Sequence, residues 1–440
     1  MNKQMLEIAN WSMDKALKSG ADDCTVKMSK KRLIEIQYRQ GKPETISDGT
    51  ENGIRLSIYA DSRFSVQTTS DLRKSALESF IPNAVVTTKL LEKDKFRYLP
   101  DPKYYKGRAN VDLQIEDPNY DKITAEKRHE MVQKLEESCI QAGGDKIISV
   151  ISFENDEFNE SLVINSKGFE GYTRSTTFEI GIITTGQDVG DRRPNSYEYA
   201  GSRKLADLPD PVQTGRTAAK RTFSYFGAKK IKTETLPIII ENRAVGGVLG
   251  KFTSAMKAFN IQQKRSFLAD MKGKKVGSEL FTLIDDPLLV GGLESCLFDS
   301  NGFPTKKRTM IDSGRLDQFY VGWYYSQKLG WEPTIGRPTN LIVPPGKRSV
   351  EQIMKDLGRG ILITWFLGGN SNSATGDFSI GIMGHLFENG ELTQAVAEMN
   401  IADNHLNFWN KLIEIADDPF MYDSDRFPSL VFRDVVVSGV

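Results

Sequence analysis

The sequence predicts an α+β protein of two domains. Residues 1–226 read as a domain mixing helices with a strand meander, and residues 227–440 as a strand-rich domain, barrel- or sandwich-like, with a few helices. Three observations predict this. A chain of 440 residues exceeds what one ordinary core can cover. Its first half carries helical and alternating patterns without the regular strand–helix alternation of a parallel α/β sheet. Its second half is built from short apolar runs and from turn pairs such as Asn301-Gly302, Ser313-Gly314 and Asn389-Gly390.

The elements follow in order. Met5, Ile8, Ala9, Ala16 and Leu17 fall on one helical face, and Gly20 can close that helix. The stretches 25–42 and 53–69 alternate as half-buried strands, with turns expected at Ser47-Asp48-Gly49 and Glu51-Asn52-Gly53. Residues 71–81 have helical spacing that should stop before Pro82. Residues 93–120, rich in Pro, Asp, Tyr and Lys, read as an irregular crossing segment. Thr124 is a natural N-cap for a helix ending at Gly143-Gly144. Strands are expected at 147–154, 161–165, 168–175 and 177–184, then a helix over 212–226. The lysine-rich stretch 227–235 marks the junction. Beyond it come a strand at 236–240, a helix over 244–259, and a short helix over 350–357.

Composition excludes several function classes. Lys plus Arg equals Asp plus Glu at 58 each, so no global field draws nucleic acid or anionic lipid. The strongest apolar run, Ile361–Leu367, is far shorter than the roughly 20 residues of a membrane helix. The opening residues lack the apolar core of a signal peptide. Three scattered cysteines, Cys24, Cys139 and Cys296, suit reduced thiols in a cytoplasmic protein. Only three histidines occur, at 129, 385 and 405, which leaves little material for a zinc or Ser-His-Asp centre.

The motifs are each open to a plain reading. His129-Glu130 invites a zinc-hydrolase reading, but Gln133 and Lys134 stand where the second histidine is needed, so a solvated helix face is expected. The run 246–254 resembles a phosphate loop, yet Val245 and Phe252 occupy its glycine and hydroxyl positions. The stretch Gly368–Gly384, GGNSNSATGDFSIGIMG, has the glycines and hydroxyls of an anion nest but no basic residue, and Asp377 would repel phosphate. It could be a structural turn, a contact for a peptide or small ligand, or an anion site. Its candidate contact residues are Gly369, Asn370, Asn372, Thr375, Gly376, Asp377 and His385. Asp377 and His385 could also form an orienting pair, although a structural histidine on a strand is the simpler expectation.

Four blocks, 19–72, 298–330, 367–392 and the ending PSLVFRDVVVSG, together resemble the TldD/PmbA family, named for modulation of DNA gyrase, and within it the PmbA (TldE) branch. The resemblance spans nearly the whole chain. It implies a cytoplasmic proteolytic complex of two paralogues acting on unfolded peptides, with roles in peptide maturation and antitoxin turnover. One paralogue carries HExxxH on a helix and a cysteine near the C-terminus, and holds zinc. The other is its partner. Placed on this chain, the family's helix puts Lys251, Phe252 and Met256 where His, Glu and His would stand, and residues 406–440 contain no cysteine. A protonated Lys has no lone pair to offer and Phe cannot act as a base. The resemblance therefore implies a chain with no catalytic residue and no metal or cofactor of its own, partnered by an HExxxH paralogue that supplies zinc.

Two readings follow. In the first, the chain is the non-catalytic subunit of a metallopeptidase, and the 368–385 loop with the hairpins around 298–330 shapes a peptide channel or dimer surface. In the second, it is a self-sufficient homodimeric hydrolase using Asp377, His385 or Lys251 without metal, or a peptide- or small-ligand-binding protein using the 368–385 loop.

Overall fold

The computed structural model describes residues 2–439. Helix α1 (Lys3–Lys18) is capped by the Asn2 side chain and buries Met5, Ala9 and Ala16. Strands β1 (Asp23–Arg39) and β2 (Lys42–Ala60) form one long hairpin. Its turn is Gln40-Gly41, with φ of 51° and 74°. The turns expected at 47–49 and 51–53 lie inside β2 instead. Continuous pairing with β1 overrides them, helped by Arg32 forking onto Asp48 at 2.9 and 2.7 Å and Arg39 reaching Glu44 at 2.7 Å. After β3 (Arg63–Thr69), α2 (Lys74–Thr88) runs straight through Pro82. The lost amide bond is offset by a buried face of Leu77, Ile81, Ala84 and Val85.

The crossing segment 93–120 holds only short turns of 3₁₀ helix, as expected. Helix α3 (Ala125–Gly143) starts at Thr124, whose hydroxyl accepts from the Lys127 amide. The four strands expected between 147 and 184 are two long ones, β4 (Ile147–Asn165) and β5 (Glu170–Gly186), turning at Gly168. The sequence reading missed β6 (Asn195–Ser202), which precedes α4 (Pro211–Ser224). All six strands are antiparallel in the order β3-β2-β1-β4-β5-β6. Even-numbered residues of β4 and β5 face the helices: Leu162 and Ile164 lie under α1 and α2, and Val150, Ile180 and Ile182 under α3 and α4. Among the described residues the helix-packed clusters of this sheet draw on that even-numbered face.

Residues 228–233 lead to β7 (Glu234–Ile240), then α5 (Val245–Ala255) and α6 (Ala258–Gln262). The single helix expected over 244–259 breaks at Lys257, where the Ala258 amide donates to the Tyr320 carbonyl. A small sheet joins β8 (Leu283–Asp285), β9 (Arg308–Asp312), β10 (Arg315–Leu316) and β11 (Leu341–Ile342), with α7 (Trp323–Leu329) in the loop between the last two. Helix α8 (Val350–Leu357) opens with a reciprocal Ser349–Gln352 capping box. Then come β12 (Arg359–Ser371), β13 (Asp377–Glu388), β14 (Glu391–Asn404), α9 (His405–Phe408), β15 (Leu412–Ile415) and β16 (Leu430–Ser438). Of the two architectures expected for this half, the barrel is correct: β14, β13, β12, β7 and β16 close on themselves as five strands through a β14–β16 pairing. Ile238, Ile240, Ile361, Ile363, Ile382 and Phe432 belong to its large core, while Ile239, Val431 and Phe387 pack with α8 on a separate cluster.

The crossing segment ties the halves together. Trp323 Nε1 donates to the Tyr98 carbonyl at 2.8 Å and Tyr324 Oη to Asp94 at 2.6 Å. From the sheet side, the Gly201 amide donates to the Tyr422 carbonyl at 2.8 Å.

Beneath α3, β4 buries two acids side by side. Asp156 accepts from Tyr120 Oη at 2.6 Å and from Arg128, whereas neither oxygen of Glu154 has a hydrogen-bond partner. Burial, and then the charge of Asp156, hold the Glu154 carboxyl well above its ordinary value of 4.5. The folded chain thus keeps a proton that the unfolded chain releases, so stability falls as pH rises from that ordinary value through the raised one. Glu154→Gln keeps the shape and removes the titration. It should gain on the order of 1–3 kcal/mol over wild type at pH 8 and little near pH 5, read from melting curves at both pH values. A difference that does not change with pH would contradict this account.

Candidate functional site

Helix α5 forms because Val245, Val248, Leu249, Phe252 and Ala255 recur at helical spacing and are all buried. It divides the three positions that the family resemblance singles out. Lys251 is exposed. Phe252 is sealed in an aromatic cluster, edge-on to Phe281 at 5.7 Å and to Trp409 at 5.8 Å, and Met256 is fully buried. A phenyl ring and a buried thioether supply no ligand of the kind a catalytic zinc takes, which is imidazole, thiolate or carboxylate. These residues do not fit the metal. Among the described residues no three His, Cys, Asp or Glu side chains converge to hold an ion.

The stretch 368–384 is the β12–β13 hairpin, turning at Asn372–Gly376. Its polar groups are engaged with one another. The Asn372 amide donates to the Asp377 carbonyl and the Gly376 amide to the Asn372 carbonyl, both at 2.8 Å. Asn372 Oδ1 accepts from the Ala374 amide at 2.9 Å, and Thr375 Oγ1 donates to Asp377 at 2.7 Å. Asn404 Nδ2 bridges the Thr375 carbonyl and Asp377 Oδ1, each at 2.9 Å. Those hydrogen bonds, from Thr375 first and then Asn404, hold the Asp377 carboxyl below its ordinary range. Gly369 and Asn370 belong to the ladder, opposite Ile380 and Ser379. The geometry is that of a self-satisfied turn.

Asp377 and His385 stand at opposite ends of β13, about 26 Å apart at the usual strand rise, so they form no pair. His385 is buried, with Nε2 at 2.9 Å from the Ser224 carbonyl and its ring stacked 5.3 Å from Tyr225. Burial depresses its pKa. Lys251 lies on a different element, and nothing joins the three into a reacting group. His129 Nδ1 is 3.1 Å from Tyr38 Oη, and Glu130 pairs with Lys134 at 2.6 Å and Lys127 at 3.2 Å, the helix-face arrangement expected.

A cavity that the sequence reading missed lies where edge strand β6 meets β12. It measures about 450 Å³ and is lined by Phe153, Glu179, Ile183, residues 195–199 and Trp365. Strands β4, β5 and β6 supply its floor. The Phe153 ring lies across Gly181, where a Cβ would come within 2.2 Å of it. Tyr199 pairs with Gly181 on the far side, and Tyr197 with Ile183. Tyr197 and Tyr199 stack at 5.6 Å with planes 9° apart, and Tyr197 meets Trp365 edge-on at 4.5 Å. Tyr199 Oη donates to Asp423 at 2.8 Å. The alternation Asn195-Ser196-Tyr197-Glu198-Tyr199 was the signal for β6 and its aromatic face. Nothing local pointed to Trp365.

Comparison with known proteins places this architecture. Residues 118–224 match the PmbA/TldA metallopeptidase central domain and residues 233–439 the PmbA/TldA metallopeptidase C-terminal domain. The chain is 28% identical to the metalloprotease PmbA of Escherichia coli O157:H7, over 95% of this chain and 93% of that one. A crystal structure from Bacteroides thetaiotaomicron VPI-5482 that bears a gyrase-modulator name superposes with a TM-score of 0.96 at 34% identity, covering 100% of both chains. TldE from Thermococcus kodakarensis shares the fold, with a TM-score of 0.87 at 20% identity over 98% of this chain and 100% of that one.

Proposed function

This chain belongs to the TldD/PmbA family of metallopeptidases, and from that premise we propose that it serves as the PmbA/TldE-like, non-catalytic subunit of a cytoplasmic peptidase whose second subunit is an HExxxH paralogue. The observation that carries the reading is α5. Of the positions matched to the family's metal-binding helix, one is an exposed lysine and two are a phenylalanine and a methionine committed to the core. The paralogue contributes zinc and the activated water. This chain contributes fold complementarity and surface for an unfolded peptide. Among the described residues no helix is long and apolar enough to cross a membrane, which is compatible with that setting.

Edge strand β6, as far as Tyr199, gives the peptide a place to add a strand; beyond it the Gly201 amide is already bonded to the Tyr422 carbonyl. Main-chain pairing of that kind is indifferent to side-chain identity, as a substrate class defined only by being unfolded requires.

The test is reconstitution. The purified chain is expected to hold no stoichiometric zinc and to cleave an unfolded peptide at least about 100-fold more slowly than the pair formed with its HExxxH paralogue. Stoichiometric zinc in the lone chain, or turnover equal to that of the pair, would overturn the assignment. Loss of the pair's activity on changing Lys251 and His385 to alanine in folded protein would restore the hydrolase reading.

A further inference from the structure

We propose that the cavity between β6 and Trp365 is a subsite for a cationic side chain, lysine or arginine, of the bound peptide. This rests on the reading of the chain as a peptide-handling subunit and adds a side-chain preference to it.

Two independent features point to an organic cation. The first is the wall. Phe153, Tyr197, Tyr199 and Trp365 surround a space of about 450 Å³, and Tyr197 and Trp365 stand edge-to-face at 4.5 Å. That volume lies in the ordinary range for a small-ligand pocket, roughly 300–1,000 Å³. Indole and phenol faces carry the negative quadrupole that attracts ammonium and guanidinium groups.

The second is uncompensated negative charge. Glu179 lines the cavity from β5, and Asp423 is bonded to the lining Tyr199. The arginines near β6 are already committed. Arg221 pairs with Glu241 at 2.6 Å and with Glu198 at 3.2 Å, while Arg243 holds Glu198 and lies 4.7 Å over the Phe420 ring. Among the described residues no cation is a cause of the Glu179 pKa shift. Burial raises its pKa, an Asn155 hydrogen bond lowers it, and Asp423 raises it again. A cationic side chain entering the cavity would relieve that repulsion and lie against the aromatic faces. A neutral apolar side chain would leave the half-buried Glu179 carboxylate without a counter-charge, and an anion would meet that acid with Asp423 close by.

The placement suits a peptide. The cavity is bounded by consecutive residues 195–199 of an edge strand, so a chain running along β6 would project alternate side chains toward it.

The experiment uses the full chain and fluorescently labelled ten-residue unfolded peptides differing at one central position, Arg, Lys, Gln or Glu. Affinity is read by anisotropy. Arg and Lys peptides should bind about 10-fold more tightly than Gln, and Glu more weakly still. The ranking should collapse in Glu179→Gln and shrink in Trp365→Leu, with both variants melting as wild type. Equal affinities, or a preference that survives Glu179→Gln, would overturn the subsite. Free tetramethylammonium and N-acetyl-arginine amide form a second arm. Binding of either as tight as the Arg peptide would assign the cavity to a free organic cation and overturn the peptide assignment. If the lone chain binds no peptide, cleavage by the reconstituted pair decides. Faster cleavage of Arg over Gln peptides upholds the subsite, whereas charge-blind cleavage removes it and leaves the subunit reading standing. Absence of cleavage by the pair would remove both.

Discussion

Gly384→Val should leave the chain unable to fold its barrel. A Cβ at that position would lie 2.0 Å from the Leu362 carbonyl oxygen and 3.0 Å from the Ile363 Cα, both backbone atoms of the paired strand β12. Strand backbone in the middle of a closed barrel cannot retreat without breaking its ladders on both sides. The cost belongs with the exceptional substitutions, at least about 4 kcal/mol, and should appear as loss of soluble protein or of a cooperative melt. Gly368→Ala, in the same hairpin, is the control. Its φ is +79° but no atom lies within 4 Å of the added Cβ, so the expected cost is only about 1–2 kcal/mol. A soluble Gly384→Val protein with the wild-type melting temperature would show that the close approach has been misjudged. Equal costs at the two positions would show that backbone conformation, not strand contact, explains these glycines.

The second large effect is expected in acid. His405 is fully buried among Phe252, Phe267 and Phe378, with ring centroids 6.0, 5.5 and 4.8 Å away, and neither ring nitrogen has a hydrogen-bond partner. Burial drives its pKa down from 6.5 to about 4, against the opposing pull of Asp403. The unfolded chain therefore takes up a proton that the folded chain refuses. Stability contributed at neutral pH is lost as pH falls from 6.5 toward 4, by about 3 kcal/mol across that window. His405→Phe continues the aromatic cluster and removes both the titration and two unpartnered buried nitrogens. It should melt at or above the wild-type temperature at pH 7.5, and its advantage should widen steadily down to pH 4.5. A constant gap, or a variant more acid-labile than wild type, would contradict this. Because His405 follows directly on β14 and its amide donates to the Gly376 carbonyl, acid loosening should reach the glycine hairpin first.

Elements whose signal is local were legible in the sequence. The helices α1, α3 and α8, the Ser313-Gly314 and Asn389-Gly390 turns, and the strand-rich character of the second half all rest on patterns within a few residues. Two of the errors share one cause. Ser47-Asp48-Gly49 looks like a turn, and Pro82 like a helix end, because those preferences are local. Each is overridden by a long-range partner, β1 in one case and the buried helix face in the other. The candidate site divided in the same way. The chemistry of positions 251, 252 and 256 was readable at once, since it depends only on which side chains are present. The cavity was not, because Phe153, Glu179, Tyr197 and Trp365 come from four strands and meet only when the sheet edge is laid against the barrel.

By itself the sequence determined the family likeness, the α+β character and the absence of metal-binding side chains at the family's catalytic helix, all of which follow from residue identity and short-range spacing. Only the tertiary structure decided what the glycines of 368–384 are for. Gly369 and Gly384 are required where one strand's backbone comes so close to the next that no Cβ fits, whereas Gly368 and Gly376 take positive φ; the closeness is a property of the closed barrel, not of the segment. The tertiary structure likewise decided that an acid on β5 and a tryptophan on β12 share one cavity. Burial and proximity are set by how distant segments pack, and no local pattern encodes them.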